Sequence, residues 1–298
     1  MNESEFSMTK WKIGIIGGSG LYDLDVLENA QWVEVATPWG APSDALLTGN
    51  VAEVECVFLP RHGRGHKLGP SQLNFRANID ALKRLGVTDI LSISAVGSLN
   101  EAMAPGDFVI ADQFIDRTFA REKSFFGDGL VAHVSMADPV CPRLAGFASH
   151  AAVTAGANLH SGGTYLAMEG PQFSTRAESH LYRSWGADII GMTAMPEAKL
   201  AREAELPYAL IGMVTDYDCW RENEAPVQVE TVIAQLGENA ARARATVENF
   251  LTHLPATREP SPIDMVLDFA LITDPAKYDP ALVSKLDAIA GRALKGRS

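Results

Sequence analysis

Two acids stand one residue apart in Thr215-Asp216-Tyr217-Asp218-Cys219-Trp220, directly after the apolar run 208–214. If that run is a strand, residues i and i+2 share a face, so Asp216 and Asp218 project together from its end. A purine with an exocyclic amino group offers N7 as a proton acceptor and N6 as a donor. One protonated and one ionised carboxyl would read both atoms. The competing reading is a strand-end turn whose aspartates cap a helix or face water.

Other segments repeat the design of an apolar run followed by small or polar groups. Pro60-Arg61-His62-Gly63-Arg64-Gly65-His66 packs two arginines and two histidines into a net acidic chain. Arginine supplies bidentate donors suited to phosphate, and a neighbouring histidine can add another N–H. His62 and His66 at i, i+4 could instead ligate a metal, but the glycines between them oppose a helix and no third ligand stands nearby. Gly14-Ile-Ile-Gly17-Gly18-Ser19-Gly20 satisfies neither the dinucleotide G-x-G-x-x-G pattern nor a P-loop, which leaves a glycine-rich junction able to hold a phosphate or simply a tight turn. Ser92-Ile-Ser94-Ala95-Val96-Gly97-Ser98 ends in small residues that let backbone amides approach a ligand. In Glu169-Gly-Pro-Gln-Phe173, Phe173 can stack on a flat base or fill a core. Gly191-Met192-Thr193-Ala-Met195-Pro-Glu197 offers a strand end, a hydroxyl and then a helix.

These segments need a scaffold, and the alternation of short apolar runs with amphipathic stretches supplies one. Strands are expected at 13–16, 55–59, 89–94, 107–113, 163–168, 188–192 and 208–214, with helices at 71–85, 141–155, 174–185, 195–204 and 227–251. The fold class is therefore α/β, a central, twisted, mixed but largely parallel sheet flanked by helices, in which ligands bind where strands end. Residues 12–254 form the main domain. A proline-rich linker at 255–262 opens a C-terminal helical extension, 255–298, whose residues Leu282, Leu286, Ile289 and Ala293 recur at helical spacing.

The 298 residues carry 25 Lys and Arg against 37 Asp and Glu, a formal charge of −12 that disfavours nucleic acid or an anionic membrane as partners. Cys56, Cys141 and Cys219 fit neither a metal knuckle nor a disulfide framework. With a polar, acidic N-terminus and no run of roughly 18 apolar residues, the expected location is the cytoplasm.

Taken in order, the segments Ile15-Ile-Gly-Gly-Ser19-Gly, Arg61-His62-Gly, Ser94-Ala95-Val-Gly-Ser, Glu169-Gly-Pro-Gln-Phe173, Met192-Thr193-Ala-Met-Pro-Glu and Thr215-Asp216-Tyr-Asp218-Cys-Trp resemble the trimeric purine nucleoside phosphorylase family. The pattern is nearest to its members that act on 5'-methylthioadenosine, and it spans residues 12–251. The resemblance implies a pentosyltransferase of purine and methionine salvage: phosphate attacks C1', releasing adenine and 5-methylthioribose 1-phosphate. Inorganic phosphate is a co-substrate, and no cofactor or metal is implied. Ser19, Arg61, His62, Ser94, the Ala95 amide and Thr193 would cradle phosphate. Met192 would lie against the ribose and Phe173 on the base. Asp216 would serve N7 as general acid and Asp218 the 6-amino group, with His62 joining them as a catalytic candidate. His133 from a neighbouring subunit and Val229, Val232 and Ile233 would line the 5' pocket. A homotrimer, or a dimer of trimers, with a shared active site follows.

The chemistry agrees, because cleavage builds positive charge on the sugar and negative charge on the base, which a phosphate anion and an N7 proton donor stabilise at opposite ends. An ordinary aspartate is ionised at neutral pH, so Asp216 needs burial and the neighbouring Asp218 to hold a proton. Val229, Val232 and Ile233 share one helix face, which suits a thioether and equally suits ordinary core packing. Ser19 and Ser94 stand where relatives carry threonine, Gly191 and Val96 at positions that vary, and the tail after Pro255 is longer than the family leads one to expect. The rivals are a 6-oxopurine phosphorylase for methylthioinosine or inosine, which the two acids would repel at O6, a hydrolase, which would not need the cation and hydroxyl cradle, and a non-catalytic nucleoside-binding protein.

Overall fold

A computed structural model of the chain describes residues 10–18, 21, 25–222 and 227–295. Its sheet runs β2 (Glu28–Val33), β3 (Leu46–Val51), β4 (Val54–Pro60), β1 (Lys12–Gly17), β5 (Asp89–Ser98), β10 (Ile189–Gly191), β9 (Thr164–Met168) and β7 (Gln113–Arg117). On the other flank of β5 lies β11 (Tyr208–Asp216), followed by β6 (Phe108–Ala111) and β8 (Leu159–Ser161). β1 is parallel to β4 and β5, and β11 to β5, while β10 meets β5 antiparallel.

The central strands are apolar throughout because both faces are covered, and their period of two sorts residues between two cores. Ile13, Ile15, Leu91, Ile93, Ala209 and Ile211 face α2 (Pro142–Thr154) and α5 (Val229–Thr252), joining Leu144, Ala148, Val247 and Phe250. Ile16, Ile90, Leu210 and Val214 point the other way, toward α1 (Phe75–Arg84) and α4 (Ala194–Glu203). That second core also takes Leu267, Leu286, Ile289 and Leu294 from the extension. Truncating any of these fully buried Leu or Ile residues to alanine would cost about 2–5 kcal/mol.

Each expected strand and helix is present, with instructive differences. The first expected helix begins at Phe75, because Asn74 caps it by accepting from the Ala77 N–H, and Pro70–Gln72 form a separate 3₁₀ turn. The expected strand 107–113 is two strands. Asp112 donates its N–H to Gly163 and breaks the run, so β6 pairs with β11 while β7 crosses to β9. β2, β3 and β8 were not anticipated.

The segment 255–262 is anchored: the Trp11 Nε1–H donates to the Pro255 carbonyl at 2.8 Å, and buried Arg258 pairs with Asp89 and Asp264. The extension continues through a 3₁₀ stretch (Pro262–Phe269), α6 (Pro280–Lys285) and α7 (Asp287–Lys295), with Leu286 as the break between the two helices. Arg84 to Asp287 and Arg292 to Glu205 and Asp268 fasten it further. Among the described residues no helix is long and apolar enough to cross a membrane.

Candidate active site

The sheet splits along β5. β1 pairs with it as far as Ile16 opposite Ser92, and β10 joins the same flank only at Gly97 and Ser98. Residues 93–96 therefore face a gap on that flank, while β11 backs them on the other. The small residues of this stretch leave room for a ligand beside backbone amides, including that of Ala95.

Hydroxyls converge on the gap. The Ser94 and Thr193 oxygens are 3.3 Å apart, and the Thr193 N–H donates to the Tyr165 hydroxyl at 3.5 Å. Tyr165 is fully buried, and a Cβ at Gly191 would collide with its hydroxyl, so glycine is required there. Beside this cluster Arg61 donates its backbone N–H to Gly17 at 3.0 Å, which ties the cation loop to the glycine-rich turn. Ser19 lies outside the described residues.

The Arg61 guanidinium differs from a free phosphate clamp. It is buried against Glu197, with Nε donating to Oε2 at 2.8 Å and Nη2 to Oε1 at 3.2 Å. Nη2 also donates to Ser92 Oγ at 2.5 Å and Nη1 to the Ile93 carbonyl at 3.2 Å. Four of its five N–H groups are thus engaged, leaving one on Nη1 in place of the expected bidentate fork. Glu197 also accepts from the Ser92 and Tyr208 hydroxyls, at 2.7 and 2.9 Å. In the sequence Glu197 only closes the Gly191–Glu197 segment and carries no assigned role. A lone acid within the apolar face of Ala194-Met-Pro-Glu197-Ala-Lys-Leu200 was the available signal.

His62 is corrected in a similar way. Its Nδ1 lies 2.9 Å from the Leu68 carbonyl, which only accepts, so Nδ1 carries the proton. Burial and then the adjacent Arg61 push the imidazole down to about 4, which leaves a neutral ring with Nε2 as an acceptor in place of the expected second N–H. The His66 ring stacks on it at 4.2 Å.

At the base end, β11 carries a bulge between Val214 and Asp216, and the strand stops at Asp216. Asp218 is beyond it in the left-handed region (φ 50), so the two acids do not share a strand face as their spacing predicted. They meet instead over Gly97: a Cβ there would be 2.9 Å from Asp216 Oδ1 and 3.6 Å from Asp218 Cβ. Asp216 accepts from the Thr215 hydroxyl at 2.7 Å and the Asp218 N–H at 2.8 Å. Burial raises its carboxyl above the usual range. These two donors oppose the rise and the charge of Asp218 adds to it. Asp218 is also raised, again chiefly by burial.

Phe173 is 42% exposed, which decides against a core role, and Met192 lies with its thioether over Gly170. Val229 and Ile233 are 55% and 62% exposed and Val232 half-buried, so this helix face is not packed in the core of the chain. His133 is exposed on a strap paired with the extension, donating its N–H to the Ala270 carbonyl at 2.9 Å. Among the described residues no hydrogen bond or ring contact joins it to the other site residues. Arg121, also missed from sequence, is buried where two site loops meet.

A family model described as the phosphorylase superfamily matches residues 12–252. The S-methyl-5'-thioadenosine phosphorylase of Cereibacter sphaeroides is 60% identical over 289 residues, covering 96% of this chain and 100% of the relative. That of Bradyrhizobium diazoefficiens is 55% identical over 291 residues, covering 97% and 100%. A match of this extent reaches well into the segment after Pro255, so the tail that looked long for the family is shared with these relatives. Among solved structures, a methylthioadenosine phosphorylase from an Antarctic soil metagenomic library superposes with TM-score 0.87 at 47% identity, covering 94% of this chain and 99% of that one. The methylthioadenosine phosphorylase of Schistosoma mansoni in complex with adenine gives 0.77 at 40% identity, covering 81% and 91%.

Proposed function

The chain belongs to the phosphorylase superfamily, and on that premise we propose that it catalyses phosphorolysis of 5'-methylthioadenosine to adenine and 5-methylthioribose 1-phosphate. The observation that carries the substrate is Asp216: a largely desolvated carboxyl with a raised pKa, held over Gly97 of β5, the strand that also carries Ser94. Phosphate, held by the Ser94 and Thr193 hydroxyls, the Ala95 amide, Ser19 and the remaining Arg61 N–H, with His62 Nε2 accepting from the P–OH of the monohydrogen form, attacks C1'. Asp216 delivers its proton to N7 as the glycosidic bond breaks, and Asp218 accepts from the 6-amino group. Phe173 stacks on the base and Met192 packs on the ribose. No cofactor enters beyond phosphate itself.

The chain acts as a homotrimer, alone or paired into a dimer of trimers, in which His133 completes the 5' pocket of a neighbour lined by Val229, Val232 and Ile233. Support comes from His133 being tied to a surface that exposes apolar side chains, with Phe269 94% exposed and Ile272 beside it. Residues 12–254 carry the chemistry and 255–298 brace the assembly. Three free, buried cysteines fit a cytoplasmic location.

The test is base release from methylthioadenosine and methylthioinosine, each with and without inorganic phosphate. Adenine release that requires phosphate is expected. Faster hypoxanthine release would replace the aminopurine reading, phosphate-independent cleavage would make the protein a hydrolase, and no release from either would leave a binding protein.

A further inference from the structure

Arg121 follows β7 in a loop that carries none of the site motifs, yet its side chain is 1% exposed and nearly all its donors go to the backbone of two site loops. Nη1 donates to the Met192 and Met195 carbonyls at 2.5 and 2.7 Å. Nη2 donates to the Glu169 carbonyl at 2.6 Å and lies 3.4 Å from that of Met168. The first pair brackets Thr193, a member of the phosphate cradle. The second opens the loop that leads to Phe173, the wall of the base site.

The carboxylate of Glu169 closes the knot from the other side. It accepts the N–H groups of Phe119 and Ala120 at 2.7 and 3.3 Å and the Ser71 hydroxyl, and it pairs with Arg121 Nε at 3.4 Å. One planar cation therefore clasps the two loops just past Gly191 and Ala167, where the β9–β10 ladder that joins their strands ends. Packed interfaces of this kind move between discrete arrangements, so a ligand that orders one loop helps to order the other.

Resting on the phosphorylase reading above, we propose that Arg121 is a positioning residue that couples the two substrate sites: it touches neither substrate, and through it phosphate binding prepares the nucleoside site and the reverse. Coupling of this kind is reciprocal, and the usual range makes roughly a tenfold effect the expectation.

The test uses the full-length protein, titrated with methylthioadenosine in the presence and absence of saturating sulfate, a tetrahedral dianion that mimics phosphate without reacting. Wild type should bind the nucleoside about tenfold tighter with sulfate. In Arg121→Met the factor should fall toward one while each ligand still binds alone. Should that variant fold poorly, Arg121→Lys carries the test. A single ammonium satisfies one loop's carbonyls but cannot span both sets as the planar fork does, so its factor should also fall. A variant that melts earlier but keeps the wild-type factor, or a wild-type factor of one, overturns the proposal. Wild type that binds no nucleoside at all would instead remove the phosphorylase reading on which it rests.

Discussion

The two ends of β5 treat buried acids in opposite ways. At its start Asp89 is fully buried and met by two guanidinium groups, Arg258 and Arg143, with Asp264 completing the cluster. At its end Asp216 is held over Gly97 with hydroxyl and amide donors, a second acid beside it and, among the described residues, no paired cation. A carboxylate matched by cations serves as an anchor, here for the C-terminal extension. An unmatched one is driven toward its protonated form and becomes able to give the proton away. The same residue type, on β5 at one end and on the neighbouring β11 at the other, is thus an anchor or an acid according to what faces it.

The largest expected effect comes from Asp216→Asn, which keeps the shape and removes the proton donor. Turnover of methylthioadenosine should fall by roughly 10²–10⁴-fold, the scale of general acid catalysis, while nucleoside binding measured by calorimetry stays within severalfold. Because the folded pKa of Asp216 lies above its unfolded value, the ionised group opposes folding at neutral pH. The same variant should therefore melt higher than wild type. An equal loss of binding and turnover would count against the acid role.

Arg258→Met attacks the other end. It strips Asp89 of one guanidinium and leaves Asp264 unmatched, so denaturant titration should give a loss of about 3–5 kcal/mol, with kcat/KM for the surviving folded protein unchanged. A large change in kcat/KM would mean that the two ends are not separable.

Glu197→Gln lies between these cases, since it loosens a matched pair inside the phosphate cradle. KM for phosphate should rise roughly 10- to 100-fold, the cost of a displaced positioning group, with a smaller change in KM for the nucleoside. A rise confined to the nucleoside would remove Arg61 from the phosphate site.

An effect on stability alone, with no change expected in the reaction, concerns Glu203, whose carboxyl burial pushes up to about 7, against the Phe125 N–H and Ser124 hydroxyl that it accepts. A folded value above the unfolded one makes stability greatest at low pH and loses about 3 kcal/mol as pH rises from about 4.5 to 7. In Glu203→Gln, thermal unfolding followed across that window should show the dependence flattened.

Much of this was legible in the chain because local pattern decides it. Buried strands such as β5 and β11 are continuous apolar runs, and the small residues that end them announce where ligands fit. β2 was not legible, since Glu28–Val33 lies at an edge with almost no buried face and shows no alternation. Nor were the pairings across long sequence distance: Arg61 and Glu197 are 136 residues apart, and nothing in either segment marks the other as its partner. The same holds for Arg121, whose shortest bonds go to carbonyls and whose acidic partner Glu169 lies 48 residues away. The geometry of Asp216 and Asp218 escaped because a bulge and a left-handed residue replaced the regular strand that their spacing implied.

The most direct test of the contrast between the ends of β5 is the titration of Asp216 itself, followed by its side-chain carboxyl ¹³C signal and assigned by the loss of that signal in Asp216→Asn. The expected midpoint lies clearly above the ordinary aspartate value of about 3.9 and rises further with nucleoside bound. A midpoint at or below that value in both states would contradict an acid made by leaving a buried carboxyl without a cation.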